Sequence, residues 1–242
     1  MRRTSAARAA LSGEWGRLTA TERGRLMKNY AQKVLDNPER LAWIEAHDTG
    51  KPISQGRADM RSVARYFEFY GSAADKVHGE VIPYLNGYNV TVVREPLGVT
   101  AHITPWNYPA QMFGRTVAPA LAMGNATVIK PAEDACLVCL ELGALAIKAG
   151  LPPGALNIVT GVGEEAGAAL TSHPGIDFVS FTGSPEVGRM VQEAAAKHHL
   201  PVVLELGGKS PQIVFEDADL ELAATTVCKA ITQNAGQTCS AG

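Results

Sequence analysis

The sequence predicts an α/β fold: a parallel sheet covered by helices on both faces, behind an N-terminal helical segment. Three observations predict it. From Gly98 onward, strand-like runs alternate with helical patterns. Those runs are continuously apolar, as strands buried on both faces require. Helices follow strands through glycine-containing turns, the mark of βαβ units.

The first third reads as helix. The start, "MRRTSAARAALSGEW", has arginines and no acid before Glu14. Such a stretch fits a transit peptide or the tail of an amphipathic helix; the helix is the expectation. "TATE" (Thr19–Glu22) matches a capping box ahead of "RGRLMKNYAQKVL". Asn37-Pro38 supplies an N-cap and a proline at N1 for the next helix, which Gly50 ends. A third helix is expected from Arg57 to about Lys76, with Val63, Tyr66, Phe67 and Tyr70 along one side. The pattern then changes. In "EVIPYLNGYNVTVVRE" (Glu80–Glu95), Asn86-Gly87 lies between two β-rich runs and predicts a hairpin.

Six strands are expected beyond it: "GVTAHI", "ATVIKP", "LNIVTG", "DFVSFTG", "VVLELGG" and "PQIVF". Helices are expected at Cys136–Gly150, Pro185–Lys197 and Leu220–Asn234. In the second of these, Val187, Met190, Val191 and Ala194 form the apolar side. No internal repeat or low-complexity linker interrupts the pattern.

Bulk properties narrow the function. The chain has 242 residues, 46% hydrophobic and 19% charged, with 22 Lys+Arg against 24 Asp+Glu. It can bury a sizeable core. No basic block points to nucleic acid, and no run nears the roughly 18 apolar residues of a membrane span. Four cysteines are too few for a disulfide framework and place the protein in the cytoplasm. "CLVC" (Cys136–Cys139) sits in an apolar helical pattern and reads as core packing.

Several stretches carry chemistry. In "FTGSPEVG" (Phe181–Gly188), Gly183 permits a tight turn, Ser184 is an N-cap and Pro185 an N1 residue. A helix N-terminus at the carboxyl edge of a parallel sheet fits a phosphate, and the same motif fits an ordinary capped helix, the expectation for it alone. "VIKPAED" places Lys130 and Glu133 just after a strand, where they either hold ribose hydroxyls or form a solvated pair. "GVGEEAG" (Gly161–Gly167) reads as a turn with helix capping. "ITPWNYP" (Ile103–Pro109) brackets Trp106 and Asn107 between prolines, so the loop is expected to be rigid; Asn107 is either a useful donor to an oxyanion or part of a structural turn. "PVVLELGG" ends an apolar run in Glu205. A carboxylate in apolar surroundings has a raised pKa and suits a general base. Cys239, in "NAGQTCSAG", is a candidate nucleophile once deprotonated.

Taken together and in this order, "PWNYP", "KPAE", "FTGSPEVG", "LELGGKSP" and "GQTC" resemble the aldehyde dehydrogenase superfamily. "DTGKPI" and "KVHGEVIP" extend the similarity over nearly the whole chain. The resemblance implies a Rossmann-like cofactor domain from residues 1–78 and 97–208. It implies an oligomerisation hairpin at 79–96 and the start of a catalytic domain at 209–242, incomplete because family members are about twice this long. It implies Cys239 as nucleophile, Asn107 with the Cys239 N–H as oxyanion hole, and Glu205 as base. Lys130 and Glu133 would hold the adenine-side ribose, and Gly183 and Ser184 the pyrophosphate. Ile103, Trp106 and Gly163 would lie beside the cofactor. The carboxylate of Glu133 favours NAD over NADP by charge. An aldehyde is the implied substrate, and a homodimer or homotetramer the implied assembly.

Two further expectations follow. A nucleophile three residues from the last residue should fray. The alternative to an oxidoreductase is a truncated, non-catalytic nucleotide-binding module. A Cys–His hydrolase finds no support, since none of the six histidines lies in a partner motif.

Overall fold

The computed structural model describes residues 2–241. The chain begins with helix α1 (Arg2–Ser12), so the arginine-rich start is helical as expected. Thr4, Ala7 and Ala10 are its buried residues, and it packs on the sheet. Then come α2 (Glu14–Arg17), α3 (Ala20–Leu35), α4 (Pro38–Thr49) and α5 (Ile53–Ala73). The capping box at α3 is complete. Thr19 accepts from the Glu22 N–H, and the Glu22 carboxylate accepts from the Thr19 N–H at 2.7 Å.

Asn37 behaves differently from expectation. It precedes α4, but its side chain donates to the Lys33 carbonyl at 2.9 Å and caps no N–H of α4. Its φ of −130° and ψ of 34° lie outside the extended N-cap conformation. The amide closes the end of α3 instead. Gly50 ends α4 at φ 73°, where a side chain would be strained.

Strands β1 (Glu80–Ile82) and β2 (Val90–Val92) pair antiparallel as the expected hairpin. The turn at its tip closes from the Tyr88 N–H to the Leu85 carbonyl, with Gly87 at φ 87°. Only Gly87 is left-handed, so the turn is of type II character rather than the two-residue I′ turn.

The main sheet holds β3 (Val99–Ile103), β4 (Ala126–Lys130), β5 (Leu156–Ile158), β6 (Phe178–Gly183) and β7 (Val202–Leu206). All are parallel, in the order β5-β4-β3-β6-β7. The helices between and after them are α6 (Pro109–Ala122), α7 (Leu137–Lys148), α8 (Ala168–Thr171), α9 (Pro185–Ala196) and α10 (Leu220–Thr232). The core runs through α3, α5 and α6 into β3, β4 and α7, around Met27, Tyr30, Phe67, Phe113 and Leu142. Edge-to-face packing of Tyr30 on Phe67, with centroids 4.5 Å apart, lies within it.

Two expectations fail here. "PQIVF" forms no strand: Ile213 and Phe215 are exposed, and no described strand pairs with the segment. Its apolar residues have β propensity but no ladder to join. In α9 the buried residues are Gly188, Val191 and Ala195, whereas Val187 and Met190 are exposed. Gly188 sets that face: a Cβ there would lie 2.6 Å from the Leu206 side chain, so strand and helix meet at the glycine.

Candidate active site

The strand order reverses between β3 and β6, because the chain builds outward through β4 and β5 and then crosses to the other side. A crevice at the carboxyl ends of the strands flanking such a switch is where open α/β sheets take ligands. The register aligns the predicted residues along this edge. Ile103 lies opposite Lys130 and Phe181; Thr182 lies opposite Glu205, and Gly183 opposite Leu206.

On one side of the switch, Lys130 is buried at the end of β4. Its Nζ donates to Glu133 Oε2 at 2.6 Å, and Glu133 Oε1 accepts the Gly163 N–H at 3.1 Å. The pair is therefore not merely solvated, and Gly163 joins it. The Lys130 hydrogen bond, first among the causes, holds the Glu133 carboxyl below its ordinary range. Lone pairs on Glu133 and N–H groups on Lys130 remain for a diol. A Cβ at Gly163 would meet nothing within 4 Å, so the loop edge there is open. On the other side, Ser184 accepts the Val187 N–H at 3.2 Å and Pro185 sits at N1. The N-terminus of α9 is thus capped and exposed beside Gly183. Trp106, also exposed, stands in the loop after β3.

That loop reaches across to the end of the described chain. Asn107 Nδ2 donates to the Gln237 carbonyl at 2.8 Å. Asn234 Nδ2 returns a bond to the Asn107 carbonyl at 3.0 Å. The Tyr108 hydroxyl and Thr238 Oγ1 share a hydrogen bond of 3.0 Å. Asn234 and Ala235 are left-handed, at φ 51° and 57°, followed by Gly236 at φ 78°. For an alanine that conformation costs about 1 kcal/mol or more. The cross-chain bonds hold it in place. The expected fraying of the Cys239 segment is therefore not observed: Asn234, Thr238 and Ala241 are buried, with the Cys239 side chain exposed between them. Sequence reasoning missed Asn234, Thr238 and the Tyr108 hydroxyl as anchors, although "ITPWNYP" and "NAGQTCSAG" contain them, because the partner of each lies in the other stretch, far away in sequence.

Glu205 corrects another expectation. It is not enclosed by apolar residues. Its side chain is 53% exposed and pairs with Arg115 of α6 at 3.3 Å. Alternation along β7 explains this. Leu206 points under α9, so Val203 and Glu205 open on the opposite face. A groove of about 280 Å³ lies there between α6 and the sheet, with Thr182, His102 and Thr116 among its walls. Burial lowers the His102 ring to about 4, so it stands neutral at physiological pH. "CLVC" is structural: Cys139 is fully buried with its thiol on the Pro109 carbonyl at 3.6 Å, and the four cysteines are free thiols.

The sequence model of the aldehyde dehydrogenase family matches residues 2–242. The chain belongs to that family. Human retinal dehydrogenase 2 is 47% identical over 96% of this chain and 45% of its own length. A solved structure from Burkholderia cenocepacia is 63% identical, with a TM-score of 0.98 over 100% of this chain and 51% of the other. The NAD+ complex of an aldehyde dehydrogenase from Bacillus cereus is 40% identical, with a TM-score of 0.97 over 99% and 49%. The chain spans about half the length of the relatives it matches. Among the described residues, no helix is long and apolar enough to cross a membrane, and no cluster of His, Cys, Asp or Glu fits a metal ion.

Proposed function

We propose that this chain is the cofactor-binding portion and nucleophile loop of an NAD-dependent aldehyde dehydrogenase that oxidises an aldehyde to a carboxylic acid. One observation carries the reading: the Asn107 side chain is bonded to Gln237, two residues before Cys239. An amide donor from the loop after β3 and the segment that carries the thiol meet in one loop cluster. Asn107 Nδ2 has a second N–H, which with the Cys239 backbone N–H forms the oxyanion hole.

Cys239, as thiolate, attacks the aldehyde carbon. The two donors stabilise the alkoxide that forms. Bound NAD would supply the hydride acceptor that takes the carbon on Cys239 to the thioester level. Glu205 takes a proton from water, which hydrolyses the thioester. Lys130 and Glu133 would hold the adenine-side ribose, and Gly183 with Ser184 would meet the pyrophosphate. Ile103, Trp106 and Gly163 would flank the cofactor. The ionised Glu133 repels a 2′-phosphate, which favours NAD over NADP.

Residues 1–78 and 97–208 form the cofactor domain in this reading, and 209–242 begin the catalytic domain. The hairpin at 79–96, with Val81, Tyr84 and Val93 exposed, serves a homodimer or homotetramer. The free thiols fit the cytoplasm.

The test is reduction of NAD by the full-length protein across an aldehyde panel, with Cys239→Ala as the control. Aldehyde-dependent reduction that the substitution abolishes is expected. No reduction with any aldehyde, or full activity in Cys239→Ala, would overturn the reading.

A further inference from the structure

A buried charge cluster lies against the ring of Tyr108. Lys51 Nζ sits 3.0 Å from Glu45 Oε1 and 2.6 Å from Asp59 Oδ2, and none of the three side chains is solvent-exposed. Gln55 donates to the other Asp59 oxygen at 2.7 Å. Glu45 Oε1 also accepts the Ala110 N–H at 3.2 Å, in the first turn of α6. Glu45 Oε2 is buried with no partner. Buried charges at this density are costly, and an orphaned carboxylate oxygen more so. An apolar core of the same volume would serve stability as well or better.

What the cluster touches gives it a use. Lys51 Nζ stands 4.7 Å from the centroid of the Tyr108 ring, in cation–π range. The hydroxyl of that ring holds Thr238, the residue before Cys239. The ammonium pins the ring from its face, and the ring carries its hydroxyl to Thr238 Oγ1. The Ala110 contact fixes the backbone two residues beyond the ring.

We propose that Lys51, Glu45 and Asp59 are positioning residues for the Cys239 loop, acting through the ring and hydroxyl of Tyr108. The inference rests on the reading of Cys239 as nucleophile, but its test reads the thiol directly.

The experiment is the rate of iodoacetamide labelling at Cys239 in the full-length protein, followed by peptide mass, beside kcat and KM. Tyr108→Phe keeps the ring over Lys51 and removes the hydroxyl. Thr238→Val removes the other partner, and Thr238→Ser restores it. Each of the first two is expected to change labelling by roughly fivefold, the size of one neutral hydrogen bond. The double variant should show no further change, and Thr238→Ser should label like the parent. kcat should fall with KM unchanged. Glu45→Gln, close in shape, should alter labelling when Tyr108 is present and not in the Tyr108→Phe background. Equal effects of Glu45→Gln in both backgrounds would sink the proposal. So would unchanged labelling in the two single variants, or changes that multiply in the double and track the unfolding midpoint. The outcomes that would overturn it are read from labelling and unfolding, so failure of the proposed function would show separately, in Cys239→Ala.

Discussion

At the scale of single residues, two buried titratable groups pull stability in opposite directions. Burial, the largest cause, pushes the Glu45 carboxyl up from 4.5 to about 7. The folded state then holds a proton that the unfolded chain has released. Its contribution is full below pH 4.5 and is lost as pH rises through about 7. Burial draws His102 down from 6.5 to about 4. Here the unfolded chain binds the extra proton, so stability is lost as pH falls from 6.5 toward 4. Each effect is on the order of 3 kcal/mol, since a tenfold change in proton affinity is worth about 1.4 kcal/mol. Between pH 4.5 and 6.5 they oppose each other, and His173, also lowered by burial, adds to the side that rises with pH. His102→Gln should leave a midpoint that falls as pH rises, and Glu45→Gln one that climbs. Midpoints that stay flat in both variants would contradict the burial argument. At the site, Asn107→Ala should lower kcat by about 10²–10³, the usual cost of one oxyanion donor. A stopped-flow trace of reduced nicotinamide should show the loss in the first turnover. Glu133→Gln should narrow the NAD-over-NADP ratio of kcat/KM, since the repelling charge is gone.

At the scale of elements, local chemistry was legible and partnership was not. Thr19 and Glu22 announce the start of α3, and Ser184-Pro185 that of α9, because caps are made within four residues. Thr19→Ala and Ser184→Ala should each cost about 1 kcal/mol in a denaturant melt. The Ser184 change should also weaken NAD binding, a second effect with no counterpart at Thr19. Asn37 shows the limit. The residue type fits an N-cap, but which helix end it serves depends on the fold of the preceding turn. "PQIVF" shows another. Its pattern matches a strand, yet strandhood needs a neighbour, and a sequence window holds none. Glu205 is the same error at the site. The run around it is apolar, but alternation places Glu205 on the face opposite α9, where the groove is open and Arg115 pairs with it.

At the scale of the molecule, the surface is divided. The sheet and its helices enclose a continuous core, whereas α10 has no buried residue and presents Leu220, Leu222 and Ile231 to solvent. The hairpin adds Val81, Leu85, Tyr88 and Val93. Exposed apolar area on this scale marks a surface that other polypeptide covers. The 242 residues expressed alone should associate, visible as concentration-dependent light scattering. In the full-length protein, Val81→Lys with Val93→Lys should shift the assembly toward smaller species in sedimentation. An unchanged distribution would remove the hairpin from the interface.

The bond from Asn107 to Gln237 spans 130 residues of sequence. Closing so long a loop is slow relative to forming helices, and its entropy must be offset before any local gain appears. This contact is therefore a late event in the life of the polypeptide. During synthesis, Asn107 leaves the ribosome as an amide that has nothing to hold. Cys239 follows only after all five strands of the main sheet have been made. The loop that carries it thus closes onto a scaffold that already exists.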